Sequence, residues 1–178
     1  MIANLVAFVW GFAEATLFFI VPDVALSVIA LSSVEAGIVA CFYALAGALL
    51  GGAVMFYWGK ADIERVANIL RKIPAIRPKD VEKVRSELKR KGLVAILLGP
   101  TLGIPYKIYA SHAHEVTSIF TFLLISIPAR VIRFVLIVWI TPQWFKWLFT
   151  KFTYIQQVWA VLIMWGIFYV GYFIARRK

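Results

Sequence analysis

Residues 36–59 read AGIVACFYALAGALLGGAVMFYWG, a run without a single charged side chain. An apolar stretch of roughly 20 residues is what a helix needs to cross bilayer hydrocarbon. Ala44, Ala46, Gly47, Ala48, Gly51, Gly52 and Ala53 strip this helix of bulk. A second helix can then approach closely, where dispersion contacts drive association in lipid. Gly47, Gly51 and Gly52 are therefore the expected helix-packing positions, within the chain or between copies in a homo-oligomer. Tyr57 and Trp58 close the run with rings that favour the membrane–water interface.

The rest of the chain agrees with a membrane reading. Of 178 residues 62% are hydrophobic, and mean hydropathy is +0.85, whereas soluble domains run near half apolar. One all-α membrane domain over residues 1–178 follows. The formal charge of +10 would suit nucleic acid, but the basic residues gather between Lys60 and Lys91 and at Arg176, Arg177 and Lys178. Basic flanks beside apolar spans mark the cytoplasmic side and attract anionic head groups. No zinc-finger spacing and no basic helix with stacking aromatics is present, which argues against nucleic acid. Cys41 is the only cysteine, so no intrachain disulfide forms. The N-terminus has no Lys/Arg n-region and reads as an uncleaved apolar segment.

Upstream of the central span, residues 2–33 are almost wholly apolar, interrupted by Glu14 and a Pro22-Asp23 step. Proline removes a backbone donor and clashes with the preceding turn. This predicts a re-entrant helical hairpin broken at Pro22, which puts the N-terminus outside; a full first crossing would put it inside. Downstream, residues 60–91 form the long polar stretch. Ile63, Val66, Leu70 and Ile73, then Val81, Val84 and Leu88, recur at helical spacing. Two cytoplasmic amphipathic helices on the membrane surface are expected, the alternative being a solvated charged loop.

Residues 93–115 repeat the hairpin pattern, with Gly103-Ile104-Pro105-Tyr106-Lys107 as the break. Transmembrane helices are expected over 116–140 and 155–175, with 141–154 as an aromatic interfacial segment. Pro22 to Gly59 and Pro105 to Pro142 both span 37 positions. With 60–91 cytoplasmic, the first hairpin enters from outside and the second from inside. That is an inverted-repeat arrangement, and paired broken segments in such halves point to a transport site.

Charged groups at membrane depth cost several kcal/mol, so each needs a partner or a function. Glu14, Asp23, Lys107, Arg130 and Arg133 are the candidates for a substrate or proton pathway. Meeting hairpin tips would pair Asp23 with Lys107. Arg130 and Arg133, three apart on one helical face, suit a phosphate head group or neutralisation of Glu14. The plainer alternatives are ion pairs that merely hold the hairpins together and arginines that snorkel to an interface. His112-Ala113-His114-Glu115 puts its imidazoles on different helical faces, so no metal site is expected. No cofactor motif and no nucleophile–base signature is visible, and an enzyme is not expected.

Gly47-Ala-Leu-Leu-Gly51-Gly52 followed by Tyr57-Trp58-Gly59-Lys60 resembles the glycine-rich helix and Y-x-x-G-[RK] ending of the DedA superfamily (the VTT or SNARE-associated domain). Glu14 with Pro22-Asp23 resembles that family's first hairpin, without the Gly that separates the Pro from the acidic residue. Gly103-Ile104-Pro105-Tyr106-Lys107 resembles the second, without its two arginines; Lys107 stands in for one. Pro128-Ala-Arg130-Val-Ile-Arg133-Phe134 resembles the basic helix that follows. The small YqaA-like branch is the most similar. The resemblance covers roughly residues 10–140. It implies a bacterial inner-membrane protein that moves phospholipid or polyprenyl-phosphate lipid as a flippase or scramblase, often driven by protons. Membrane lipids, and protons, are then the partners. Glu14 and Asp23 would be the acidic pair and Lys107 the remnant of the basic one. A proton-coupled small-ion carrier and a non-catalytic membrane-homeostasis or assembly factor are the alternatives.

Overall fold

The structure is a computed structural model that describes residues 1–74, 76–100, 103–148 and 151–176. Among these residues all regular structure is helical. In chain order the helices are α1 (Ile2–Thr16), α2 (Asp23–Ser32), α3 (Val34–Ala61), α4 (Ile63–Leu70), α5 (Pro78–Lys91), α6 (Leu93–Leu98), α7 (Tyr106–His112), α8 (Ile119–Leu148) and α9 (Tyr154–Arg176). A 3₁₀ turn at Ala113–Glu115 follows α7. Helices α3, α8 and α9 are long and apolar enough to cross a membrane, so the chain is a membrane protein.

Helix α3 is the axis. Its N-cap Ser33 accepts a hydrogen bond from the Ala36 N–H at 3.2 Å, and Asp62 ends it while capping α4 through the Arg65 N–H at 2.9 Å. A Cβ on Gly47 would strike the Phe8 carbonyl, and one on Gly51 would lie 2.7 Å from the Phe12 carbonyl. Two backbones thus touch along the glycine stripe, as small residues allow. A Cβ on Gly52 would sit 2.5 Å from the Tyr106 hydroxyl, and one on Gly59 would strike the Ser111 carbonyl. Both faces of the stripe are filled by α1 and α7 of the same chain. Gly51 and Gly52 are buried within the chain itself.

These contacts also set direction. Phe8, Phe12 and Thr16 advance along α1 as Gly47 and Gly51 advance along α3, so the two run parallel. α1 ends beside Gly51, the chain breaks over residues 17–22, and α2 returns so that Ala30 meets Gly37 near the start of α3. α7 likewise runs parallel to α3, from Tyr106 beside Gly52 to Ser111 beside Gly59. The two breaks therefore meet at one level, between Gly51 and Gly52. Gly92 (φ +52) and Gly103 (φ +85) occupy left-handed backbone that L side chains rarely adopt. Gly92 separates α5 from α6, and Gly103 shapes the second break. Thr101 and Leu102 of that break, and Arg177 and Lys178 of the basic C-terminal cluster, lie outside the described residues.

Two expectations need correction. α4 and α5 do form, but Val66, Leu70, Val81, Val84 and Leu88 are buried in a core with Ile96, Ile108 and Tyr109. Their apolar faces pack on α6 and α7 rather than facing lipid, since protein offers shape-matched contacts there. Of the expected interfacial segment 141–154, residues 141–148 belong to α8, and 149–150 lie outside the described residues. α8 continues through Pro142 to Leu148, because in an apolar span one missing N–H is tolerated where neighbouring helices cover the site. Thr141 and Pro142 are indeed buried.

Candidate functional site

Each break leaves backbone polar groups without helical partners, and buried groups of this kind must find others. In the first break side chains supply them. Trp10 Nε1 donates to the Ile20 carbonyl at 3.0 Å. The Val21 N–H donates to the Tyr169 hydroxyl of α9 at 2.7 Å. Lys107 Nζ, from the second break, donates to the Phe18 carbonyl at 2.6 Å. That last bond ties the two breaks together across 89 positions of sequence. Nothing in the sequence marks Trp10 or Tyr169 for this task, because both sit in strings of similar apolar and aromatic residues.

The five charged candidates converge on this junction. Glu14, near the end of α1, lies 3.1 Å from Arg130 of α8, and both are buried. Arg130 also lies over the Tyr106 ring, 4.0 Å from its centroid, a cation–π contact. Asp23, the first residue of α2, takes Arg133 at 2.7 Å. That contact is an ion pair whose angle does not make a hydrogen bond, since Arg133 Nη2 has no hydrogen-bond partner. Asp23 therefore pairs with Arg133 and not with Lys107, which instead satisfies a carbonyl. The three-residue spacing of the arginines lets one face of α8 meet a carboxylate from each helix flanking the first break. Pro22 and Pro105 each stand immediately before the helix that leaves their break.

A cavity of about 220 Å³ opens beside these charges. Glu14, Lys107, Arg130 and Arg133 line it on one side; Phe168, Tyr169 and Tyr172 of α9 line it on another. Three cations against one carboxylate give the lining a positive excess. Among the described residues Arg130 Nε and Arg133 Nε, like Asp23 Oδ1, are buried without a hydrogen-bond partner, and a guanidinium suits an oxyanion. Tyr106 donates to Ser126 Oγ at 3.0 Å, which fixes the ring that Arg130 covers. Cys41 and the glycine stripe lie off the cavity lining.

The wall formed by α9 is lightly held. Val161 is its one buried residue among those described. Besides the Tyr169 bond, Trp165 Nε1 donates to Ser27 Oγ at 3.3 Å. Near its end Arg176 pairs with Asp80 of α5 at 2.9 Å and donates to the Gly103 carbonyl. Asp80 also takes Arg77 at 2.9 Å. Burial pushes the Asp80 carboxyl up, but hydrogen bonds from the Arg77 side chain and backbone, with the Arg176 charge, outweigh it and hold it below its ordinary range. His112 and His114 turn their Nδ1 atoms to the carbonyls of Ile108 and Ser111 at 3.0 and 2.9 Å, away from this site.

Comparison with protein-family models, with curated proteins and with solved structures finds no match to this chain.

Proposed function

We propose that the chain is a DedA-like transporter, flippase or scramblase that moves phospholipid or polyprenyl-phosphate lipid across a bacterial inner membrane. The observation that carries this reading is the cavity at the meeting of the two breaks. It joins guanidinium and ammonium groups to an aromatic wall, and a lipid phosphate with its ester groups needs both. The two helix–break–helix units support it further. The arms of the first break lie toward the start of α3 and those of the second toward its end. In a bilayer this makes two opposed re-entrant hairpins, an inverted repeat with the site between the tips. Arg176 touches Asp80 and Gly103, so α5 and the end of α9 lie on one side, which the positive-inside rule assigns to the cytoplasm. A buried carboxylate at Glu14 offers a protonatable group for coupling to a proton gradient.

Reconstitution into liposomes with fluorescent phospholipid or polyprenyl-phosphate probes tests the proposal. Wild type moves the probe, and Lys107→Gln, which leaves both ion pairs intact, slows it at least about tenfold. The same assay with and without a pH gradient reads the coupling. Wild type inert toward every lipid under both conditions overturns the proposal. The modest cavity volume then favours the second reading, a proton-coupled carrier of a small ion, which uptake of small anions into the same liposomes detects.

A further inference from the structure

The charges around the cavity can be summed. Glu14 and Arg130 form one pair and Asp23 and Arg133 another, and each pair is neutral. Lys107 remains. It is 2% exposed, lines the cavity, and among the described residues hydrogen-bonds the Phe18 carbonyl; Glu14, the carboxylate that acts on its charge, is already paired with Arg130. An ammonium has three donors, so two are unspent. The five-residue cluster thus carries one net positive charge. The remaining lining residues are neutral, and the Arg77–Asp80–Arg176 group is not among them.

A buried charge without a counter-charge is costly. One negative charge beside Lys107 removes that cost; a second would be unpaired in its turn. Arg130 and Arg133 line the same cavity, and guanidinium groups suit a tetrahedral oxyanion. Arg130 is 6% exposed, and Arg133 is half-buried. The cavity, at about 220 Å³, is smaller than the roughly 300–1,000 Å³ of pockets that enclose a drug-sized ligand. It has room for a head-group fragment and not for acyl chains.

We infer that the cavity selects a singly charged phosphodiester over a doubly charged phosphomonoester. Among lipids it would take diester phospholipids in preference to a polyprenyl monophosphate. The inference rests on the proposed lipid function for the source of the phosphate, but on the charge sum alone for the preference.

The test uses the purified full chain in non-ionic detergent, with binding counted by native mass spectrometry at pH 7.5. The probes are dodecyl methyl phosphate, a monoanion, and dodecyl phosphate, mostly a dianion there because its second pKa is about 6. Wild type should bind the diester about tenfold more tightly. Lys107→Gln, which brings the net charge to zero, should weaken both probes, the monoester more than the diester. Asp23→Asn, which raises it to two, should reverse the preference toward the monoester by at least about tenfold. A merely structural role for these residues would weaken both probes alike. Wild type binding the monoester equally or better overturns the charge rule while leaving a lipid function standing. So does an unchanged ratio in Asp23→Asn whose circular dichroism matches wild type; the wild-type ratio and Lys107→Gln decide the matter if that variant does not fold. Dimethyl phosphate, which has no chain, separates the sources: binding as tight as that of the dodecyl diester keeps the charge rule and removes the lipid. Binding of no probe at all by folded wild type overturns both.

Discussion

Glu14 and Arg130 are 116 positions apart in sequence and 3.1 Å apart in space. Arg130 is buried against Glu14 and does not snorkel to an interface. Removing one partner of a buried pair strands the other charge, which costs about 3–5 kcal/mol. Glu14→Gln should therefore lower stability by about that amount in detergent. Glu14→Gln combined with Arg130→Gln should recover more than half of the loss. Thermal unfolding of the two singles and the double, read as a double-mutant cycle, measures the coupling; additive losses would mean that the pair contributes nothing. The five charged residues were legible as candidates because charge in apolar sequence is costly wherever it falls. Their partners were not, because pairing depends on which helices become neighbours.

At the level of elements, the glycine stripe of α3 was legible as a packing surface, and the structure names its occupants. An alanine at Gly47 gains about 1 kcal/mol of helix propensity, but its Cβ meets the Phe8 backbone carbonyl, which cannot move without shifting α1. Overpacking of this kind costs about 1–3 kcal/mol, so Gly47→Ala should be destabilising on balance. Gly166 of α9 has nothing within 4 Å of a Cβ, and Gly166→Ala should be neutral or stabilising by up to about 1 kcal/mol. Melting curves of the two variants check the contrast; equal behaviour would contradict the tight α1–α3 approach. The periodicity of residues 63–88 announced α4 and α5 but not what their apolar faces touch. A period of 3.6 reports that a face is buried, whether by lipid or by protein.

For the whole molecule, the contacts place α4, α5, the 3₁₀ turn and the end of α9 together. Arg85 lies 3.5 Å from Glu115, and Arg176 reaches Asp80. The start of α9 lies at the other end, because Trp165 meets Ser27 of α2 and Arg176 meets Asp80 along α9. Ser86 and Thr153 are both exposed. In a Cys41→Ala background, Ser86→Cys and Thr153→Cys should react with an impermeant thiol reagent from opposite sides of sealed vesicles. Labelling of both from the same side would refute a transmembrane α8. The two helix–break–helix units are unequal in size. The arms of the first break have 15 and 10 residues and those of the second 6 and 7, so equal spacing from proline to span end did not carry over to equal arms.

What the sequence by itself determined is the membrane as solvent, the three long spans, the two breaks and the charges that must be answered. These follow from local quantities: hydropathy, proline and glycine chemistry, and the cost of a charge in hydrocarbon. Only the tertiary structure decided that Arg133 rather than Lys107 takes Asp23, that Lys107 closes on the Phe18 carbonyl, and that α8 runs on past Pro142. Each of these depends on which surfaces meet once the helices pack. A backbone carbonyl freed by a break and a neighbouring helix that covers a proline leave no mark on the residues near them in sequence.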